Sequence, residues 1–246
     1  MSENLNKVAI VTGASRGIGA AIAERLAKDG FAVVINYSGD AAPAEELSRK
    51  IENAGGRALT AKADVSDVEA VRRMFDAAAA AFGGVDVLVN NAGIMRLARI
   101  TDADDAHFDR QVSVNLKGTF NTLREAGRRL RDGGRIVNLS TSVVGLKLES
   151  YGVYAASKAA VETLTAIMAK ELRGRSITVN AVAPGPTATN LFLDGKSDEL
   201  IERMSKMNPL ERLGTPQDIA AAVSFLVGPD GAWINGQTLR ANGGMI

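Results

Sequence analysis

The 246 residues include no cysteine and a single histidine, His107. Disulfides and thiolate metal sites are thereby excluded, as is any metal site built on several histidines, and no bound metal is expected. A Ser-His-Asp triad would have to use His107, which follows Asp102, Asp104 and Asp105 and reads as a surface histidine. No apolar run reaches the ~18 residues that a membrane span needs, because the alanines at 77–81 are flanked by Asp76 and a glycine turn. Excess charge is missing too. The formal net charge is +1, so neither a nucleic-acid partner nor a membrane surface is expected. The opening stretch MSENLNKVAIVTGAS lacks the basic start, apolar run and cleavage site of a secretory signal. With the absence of cysteine, this leads to the expectation of a cytoplasmic setting.

What is present is a regular alternation. Apolar residues make up 46% and charged residues 23%, the balance of a globular chain with a large core. The nearly continuous apolar run at 7–12 predicts a strand buried on both faces. Further strands are predicted at 31–37, 57–63, 85–90, 134–140, 177–182 and near 237–240. Helices are expected over 20–30 and 42–54, from Asp67 with Ser66 as its cap, over 103–130 without a break, around Tyr154, and over 216–226. The segment 187–213 is polar, Met-rich and less regular, and reads as a lid. Strands alternating with helices imply parallel pairing and right-handed crossovers, hence one doubly wound α/β domain over residues 1–246. Ligands in such sheets bind beyond the C-terminal strand ends, where strand order reverses. The glycine turn after the first strand, the segment 90–93 and the hydroxyls Ser140 to Ser142 should converge there.

Gly13, Gly17 and Gly19 enclose Ser15, Arg16 and Ile18 in a turn suited to a phosphate-bearing ligand. Glycines let the backbone approach a pyrophosphate, and the following helix offers unpaired N–H groups and a positive dipole end. A plain strand–helix turn packed with glycine is the competing reading. An acid at the end of the second strand would bind a ribose 2′-hydroxyl and repel a 2′-phosphate. That place holds Asn36, then Tyr37 and Ser38, with no acid until Asp40. Arg16 stands within reach of the same phosphate, so NADP(H) is favoured over NAD(H). Asn91, Ala92 and Gly93 place amides and a glycine at the next strand end, for hydrogen bonds across the sheet and room for a ribose. Asn115 falls inside a predicted helix, where asparagine is disfavoured. It either holds a water or a backbone carbonyl, or is a satisfied core amide.

Tyr154 and Lys158 share one helix face four residues apart. A nearby ammonium lowers a phenol's pKa from ~10 and makes it a usable proton donor or base. The same spacing occurs on many solvated helix faces, so the pair depends on the rest of the chain for meaning. Ser142 stands twelve residues before Tyr154 and is placed to hydrogen-bond a carbonyl oxygen that Tyr154 protonates, with Ser140 and Thr141 as rivals. Tyr151 has Ala155 four residues on, and so no amine partner. Trp233, Met204 and Met207 read as core or lid packing.

Taken in order, Thr12-Gly13-x-x-x-Gly17-Ile18-Gly19, Asn90-Asn91-Ala92-Gly93, Asn115, Ser142, Tyr154-x-x-x-Lys158 and Pro184-Gly185 resemble the short-chain dehydrogenase/reductase family over essentially the whole chain. The resemblance implies a Rossmann-type three-layer sandwich with a seven-stranded parallel sheet. It also implies a catalytic set of Asn115, Ser142, Tyr154 and Lys158. In that set hydride passes between the nicotinamide and a carbonyl carbon, Tyr154 acts as acid in reduction, and Ser142 orients the oxygen. Lys158 lowers the tyrosine pKa and holds the nicotinamide ribose, while Asn115 positions a water that relays protons. Asp64 and Val65 match the family's adenine contacts, and Thr187 and Thr189 its contacts to the nicotinamide amide and phosphates. The interval from Ser142 to Tyr154 is one residue shorter than in many members. The 3-oxoacyl-carrier-protein reductases are the nearest-looking subgroup, with Arg131 and Arg175 roughly where it keeps basic residues for an acyl-carrier-protein partner. A sugar, steroid or small-ketone substrate is as compatible. Members are usually homodimers or homotetramers, and Ala155, Ala156, Ala159 and Ala160 would let helices pack closely between subunits. A non-catalytic NADP(H) sensor would be signalled by loss of Tyr154, Lys158 or Ser142, and all three are present.

Overall fold

Strand β1 (Val8–Val11) has every residue buried, and its side chains alternate between two cores. Ala9 and Val11 join Val33 and Ile35 of strand β2 (Ala32–Tyr37) in one core, whereas Val8 and Ile10 join Ala32 and Val34 in the other. Burial on both faces is what an uninterrupted apolar run requires. The computed structural model describes residues 7–246. Strands β3 (Arg57–Lys62), β4 (Val85–Asn90), β5 (Leu130–Leu139), β6 (Thr178–Pro184) and β7 (Thr238–Ala241) complete a seven-stranded sheet in the order β3-β2-β1-β4-β5-β6-β7. Every pairing is parallel.

Helices cover both faces, giving three layers. Helices α1 (Gly17–Lys28), α2 (Ala42–Asn53) and α10 (Pro216–Val227) seal the first core, with Ile22, Leu26 and Leu226 wholly buried. Helices α3 (Val68–Phe82) and α5 (Gly118–Arg129) contribute Phe75, Leu123 and Ala126 to the second. Each fully buried side chain of this size contributes roughly 1.5–3 kcal/mol through removal from water. The chain steps outward from β1 to β3, then returns to lay β4 beside β1. The crevice at their C-terminal ends is the point where strand order reverses.

Several boundaries differ from the sequence pattern, each for a local reason. Asp67, not Ser66, caps α3, because its carboxylate accepts the N–H groups of Glu69 and Ala70 at 2.8 and 3.2 Å. Ser66 instead donates to Asp64 at 2.7 Å. The helix predicted over 103–130 divides into α4 (Asp105–Gln111), a π-turn at Val112–Lys117 and α5, after which Leu130 already belongs to β5. Trp233 does not pack into the core or the lid; it is 98% exposed beyond α10. The lid contains short helices α8 (Asn190–Leu193) and α9 (Asp198–Ser205). Its two ends are clipped by a bridge between Thr187 and Gly214, with Gly214 N–H donating to Pro186 O at 2.9 Å.

Candidate active site

Two cavities meet at the reversal point. A groove of about 560 Å³ is walled by Gly13, Ser15, Arg16, Gly17, Ile18 and Gly19, by Asn36, Tyr37 and Ser38, by Asp64 and Val65, and by Asn91, Ala92, Gly93 and Thr189. It opens on a cleft of about 150 Å³ bounded by Ser142, Tyr154, Lys158, Pro184, Gly185 and Thr187. Ile18, Asn91, Gly93, Thr189 and Leu191 line both.

The glycine turn is held from across the switch point. Asn91 Nδ2 donates to Thr12 O and Gly13 O at 2.9 Å each, and Thr12 Oγ1 accepts the N–H groups of Asn91 and Ala92 at 3.0 Å. Gly13 has φ +60°, and a Cβ there would lie 2.8 Å from Ala92 Cα. A Cβ on Gly19 would come within 2.5 Å of Asn91 Nδ2 and closer still to Gly13 O. Helix α1 has no side-chain cap, whereas Asp67 and Thr215 cap α3 and α10. Its first N–H groups lack intrahelical partners where Gly17, Ile18 and Gly19 wall the groove. A close-approach cradle ending in free amides fits a dinucleotide pyrophosphate.

Asn36 lines the groove, but its side chain serves the fold. Oδ1 accepts from Gly13 N–H at 3.1 Å, and Nδ2 donates to Ala61 O and Ala63 O at 3.1 and 3.0 Å. Its expected place beside the ribose phosphate is thus corrected to a brace under the turn. The exposed side chains at that rim are Arg16, Ser38 and Asp40, whose carboxylate accepts from Ala42 N–H at 3.1 Å. The Arg16 guanidinium and the Ser38 hydroxyl are the groups there that fit a 2′-phosphate. Arg110, which sequence reading passed over, also walls the groove, 3.6 Å from Asp64.

Helices α6 (Val143–Leu146) and α7 (Gly152–Glu171) frame the chemical centre. A buried ladder sets α7 against the sheet: Thr122 donates to Asn90 at 2.6 Å, Asn90 to Asn138 at 2.8 Å, and Asn138 to Thr165 at 2.8 Å. Lys158 is buried, and its Nζ donates to Leu139 O at 2.7 Å. Burial pushes Lys158 down to about 8. Tyr154 is half-buried as a residue, but its hydroxyl is set among protein atoms. That burial pushes the phenol up to about 12, against the downward pull of a Thr141 hydrogen bond and with nearby Tyr151 adding to the rise. The expected lowering of Tyr154 by Lys158 is therefore not what this arrangement yields. The enclosure that disfavours the phenolate also disfavours the ammonium.

Asn115 stands in the π-turn, where Oδ1 accepts from Ile94 N–H at 2.8 Å and Nδ2 donates to Ile94 O at 2.9 Å. It is a satisfied amide that fixes the loop after β4, and it lines neither cavity. The place where it meets the centre is Gly93: a Cβ there would lie 3.3 Å from Asn115 Oδ1 and 3.5 Å from Lys158 Nζ. Ser142 borders the cleft, yet its hydroxyl donates to Ala183 O at 3.3 Å and accepts from Asn242 Nδ2 at 3.0 Å. Thr141, its neighbour, borders the same cleft.

Beyond Ser140, Thr141 and Tyr151, the rest of the cleft is largely apolar. Met95 and Leu148 contribute from loops, Phe192, Met204 and Met207 from the lid, and Met245 from the C-terminal segment. The methionine content of the lid is the one sequence signal that pointed to this wall; Met245 and Asn242 carried none. His107 is half-buried, with Nε2 2.8 Å from Gln111 Nε2, and lines neither cavity. Arg131 pairs with Asp86 at 3.0 Å, and Arg175 with Asp132 at 2.7 Å. Arg131 lies near the start of β5, where the ladder to β4 is irregular between Leu130 and Arg135, at the end of the strand opposite the cleft. These arginines tie the opposite end of the sheet and do not border the cleft.

A nucleotide-shaped groove that ends at an enclosed tyrosine–lysine pair, on the reversal point of a parallel sheet, defines a dinucleotide-dependent oxidoreductase. Comparison with known proteins agrees. The family profile described as Enoyl-(Acyl carrier protein) reductase matches residues 13–246. The chain is 47% identical to a short-chain type dehydrogenase/reductase of Picea abies, over 98% of this chain and 92% of that protein. It is 46% identical to an NADPH-dependent aldehyde reductase-like protein of Arabidopsis thaliana, over 98% and 94% respectively. A short chain dehydrogenase from Burkholderia cenocepacia, solved in complex with NADP, superposes with a TM-score of 0.92 at 41% identity over 98% of each chain. The protein belongs to the short-chain dehydrogenase/reductase family.

Proposed function

We propose that this oxidoreductase is an NADP(H)-dependent carbonyl reductase for small aldehydes or ketones with an apolar body, reversible as an alcohol dehydrogenase. The observation that carries the reading is the Tyr154–Lys158 pair on the wall of an apolar cleft that adjoins a nucleotide-sized groove. NADPH, when bound, supplies the hydride. Arg16 and Ser38 hold its 2′-phosphate, the uncapped first turn of α1 its pyrophosphate, and Asp64 and Val65 its adenine. Lys158, protonated below about 8, holds the nicotinamide ribose, and Thr187 and Thr189 hold the amide end. Tyr154, whose phenol keeps its proton up to about 12, delivers that proton to the carbonyl oxygen.

The name of the Arabidopsis relative makes aldehydes the first substrates to try. A carrier-protein thioester is the second reading, favoured by the description of the matching family. Against it, Arg131 and Arg175 are tied into ion pairs far from the cleft. The partly exposed alanine face of α7 (Ala155, Ala156, Ala159, Ala160) supports a homodimer or homotetramer, and sedimentation velocity would report two or four chains. The decisive experiment follows NADPH consumption over aldehydes, simple ketones, steroids, sugars and acetoacetyl thioesters. Replacing Tyr154 by Phe should lower turnover by roughly 10²–10⁴-fold, the usual worth of a positioned acid. Undiminished turnover in Tyr154→Phe would overturn the reading.

A further inference from the structure

Tyr151 precedes Tyr154 by three residues and has no amine partner of its own. Like Tyr154 it lines the apolar cleft. A hydroxyl has one proton to donate, and several hydroxyls of this cleft give theirs to the protein. Ser140 donates to Glu162 Oε1 at 2.5 Å, Thr187 to Gly185 O at 2.9 Å, and Thr189 to Thr187 O at 3.4 Å. Tyr151 differs. Its hydroxyl has no hydrogen-bond partner among the described residues, and it is not one of the polar atoms sealed from solvent. On a cleft wall, an oxygen that is neither bonded nor sealed is available to a ligand. Partial burial raises the phenol above its ordinary value, so it remains a donor at neutral pH.

The backbone fixes where that phenol stands. Tyr151 is the N-cap residue of α7; its N–H donates to Leu148 O at 3.3 Å, and its carbonyl accepts from Ala155 N–H at 2.8 Å. Ser150 before it has φ +68°, a left-handed conformation that a non-glycine residue adopts only when its surroundings hold it there. The Ser150 carbonyl accepts the Ala98 N–H at 3.1 Å. On the other side, a Cβ on Gly152 would lie 2.9 Å from Ile100 Cγ1, so the loop after β4 packs directly on the start of α7. The two tyrosine rings meet edge to face, with centroids 6.4 Å apart, as aromatic pairs prefer. A substrate whose carbonyl meets Tyr154 thus has a second phenol beside it on the same wall.

We propose that Tyr151 is a specificity-determining residue: its hydroxyl donates to a second oxygen of the substrate, so that carbonyl compounds with an ether, ester or hydroxyl oxygen near the carbonyl are preferred over plain alkyl ones. This rests on the carbonyl-reductase reading. An oxygen that enters a largely apolar cleft loses its water, and the loss is uncompensated unless the wall offers a donor. The Tyr151 phenol is that donor. It takes no part in the proton transfer, which stays with Tyr154. The substrate class narrows accordingly, to an apolar body with one acceptor set close to the reacting carbonyl.

Matched ketones test it, each pair exchanging an ether oxygen for a methylene: 1-methoxypropan-2-one against pentan-2-one, and 4-methoxybutan-2-one against hexan-2-one. Tyr151→Phe keeps the ring and its contact with Tyr154 and removes only the donor. It should lower kcat/KM with NADPH for at least one ether by about 3–10-fold, the worth of one hydrogen bond, while both alkyl ketones change by less than about twofold. Taking the ratio within each pair, in wild type and variant, cancels the ketones' different intrinsic reactivity. Tyr151 lines the cleft and not the groove, so NADPH affinity by fluorescence titration should stay at the wild-type value. The same ketones bound to enzyme loaded with NADP+, where no hydride can move, give a readout independent of turnover. Calorimetry should show the ether preference in the wild type and its loss in Tyr151→Phe. Failure of every ketone to turn over would sink the carbonyl-reductase reading, while calorimetry still decides the role of Tyr151. Equal losses for ethers and alkyl ketones, or unchanged ratios in both pairs, would overturn the proposal and leave Tyr151 as packing.

Discussion

The groove and the cleft share Ile18, Asn91, Gly93, Thr189 and Leu191, yet beyond that wall they differ in material. The groove consists mainly of strand ends and tight turns, with Ala188, Asn190 and Asp194 of the lid along one side. Its braced polar groups, Asn36 and Asn91 foremost, are held by hydrogen bonds to backbone atoms of other strands or turns. The cleft is finished by side chains of the lid and the C-terminal segment, mostly methionine, leucine and phenylalanine. Nucleotide recognition thus relies on backbone geometry that few substitutions respect. Substrate recognition relies on flexible apolar surface that can change without disturbing the sheet.

If that contrast is right, the largest loss comes from filling the cradle. Gly19→Ala should cost about 3 kcal/mol of stability and most NADPH affinity, because its Cβ has no room between Gly13 O and Asn91; calorimetry and fluorescence titration would measure both. Next is Asn36→Asp, which sets a carboxylate against Ala61 O and Ala63 O. It should cost about 2 kcal/mol by thermal melting and so be a poor way to turn the enzyme toward NADH, whereas Arg16→Ala should weaken NADPH without that penalty. A pH effect of about tenfold per unit ranks third. Lys158 loses its charge as pH rises through about 8, while Tyr154 keeps its proton to about 12. Reduction, measured as kcat/KM from pH 6 to 10, should therefore fall above about 8 with a lysine-like limb, and a flat profile would refute that role for the ammonium. The smallest effect is expected in the cleft. Met204→Leu should change KM among aldehydes by only a few-fold, within the ~1.5 kcal/mol of a volume-conserving swap, and leave the NADPH dissociation constant alone. A change in NADPH affinity there would blur the contrast.

The sequence was most readable where one residue type serves one local need. The apolar period of β1, the glycine turn and the tyrosine–lysine spacing all express short-range geometry. It was least readable where a side chain answers to distant partners. Asn36 looked like a cofactor contact because its type was visible and its acceptors, Ala61 and Ala63, were not. The π-turn at Val112–Lys117 left no break in the helical pattern, and the Ile94 backbone that Asn115 binds there belongs to another segment. Met245 and Asn242 lie at the far end of the chain, where no motif connects them to the centre they reach.

The bond between Asn91 and the glycine turn also has a bearing on how the protein folds. Asn91 and Gly13 are 78 residues apart in the chain, with β2 and β3 lying between β1 and its neighbour β4 in sequence. Closing so long a loop is entropically costly until the strand pairs form, so the cradle is a late product of folding. NADPH, by binding only the finished turn, should add about 2.7 kcal/mol to stability at a hundredfold excess over its dissociation constant. In stopped-flow refolding, its fluorescence change should appear with the slowest phase, after the helices have already formed.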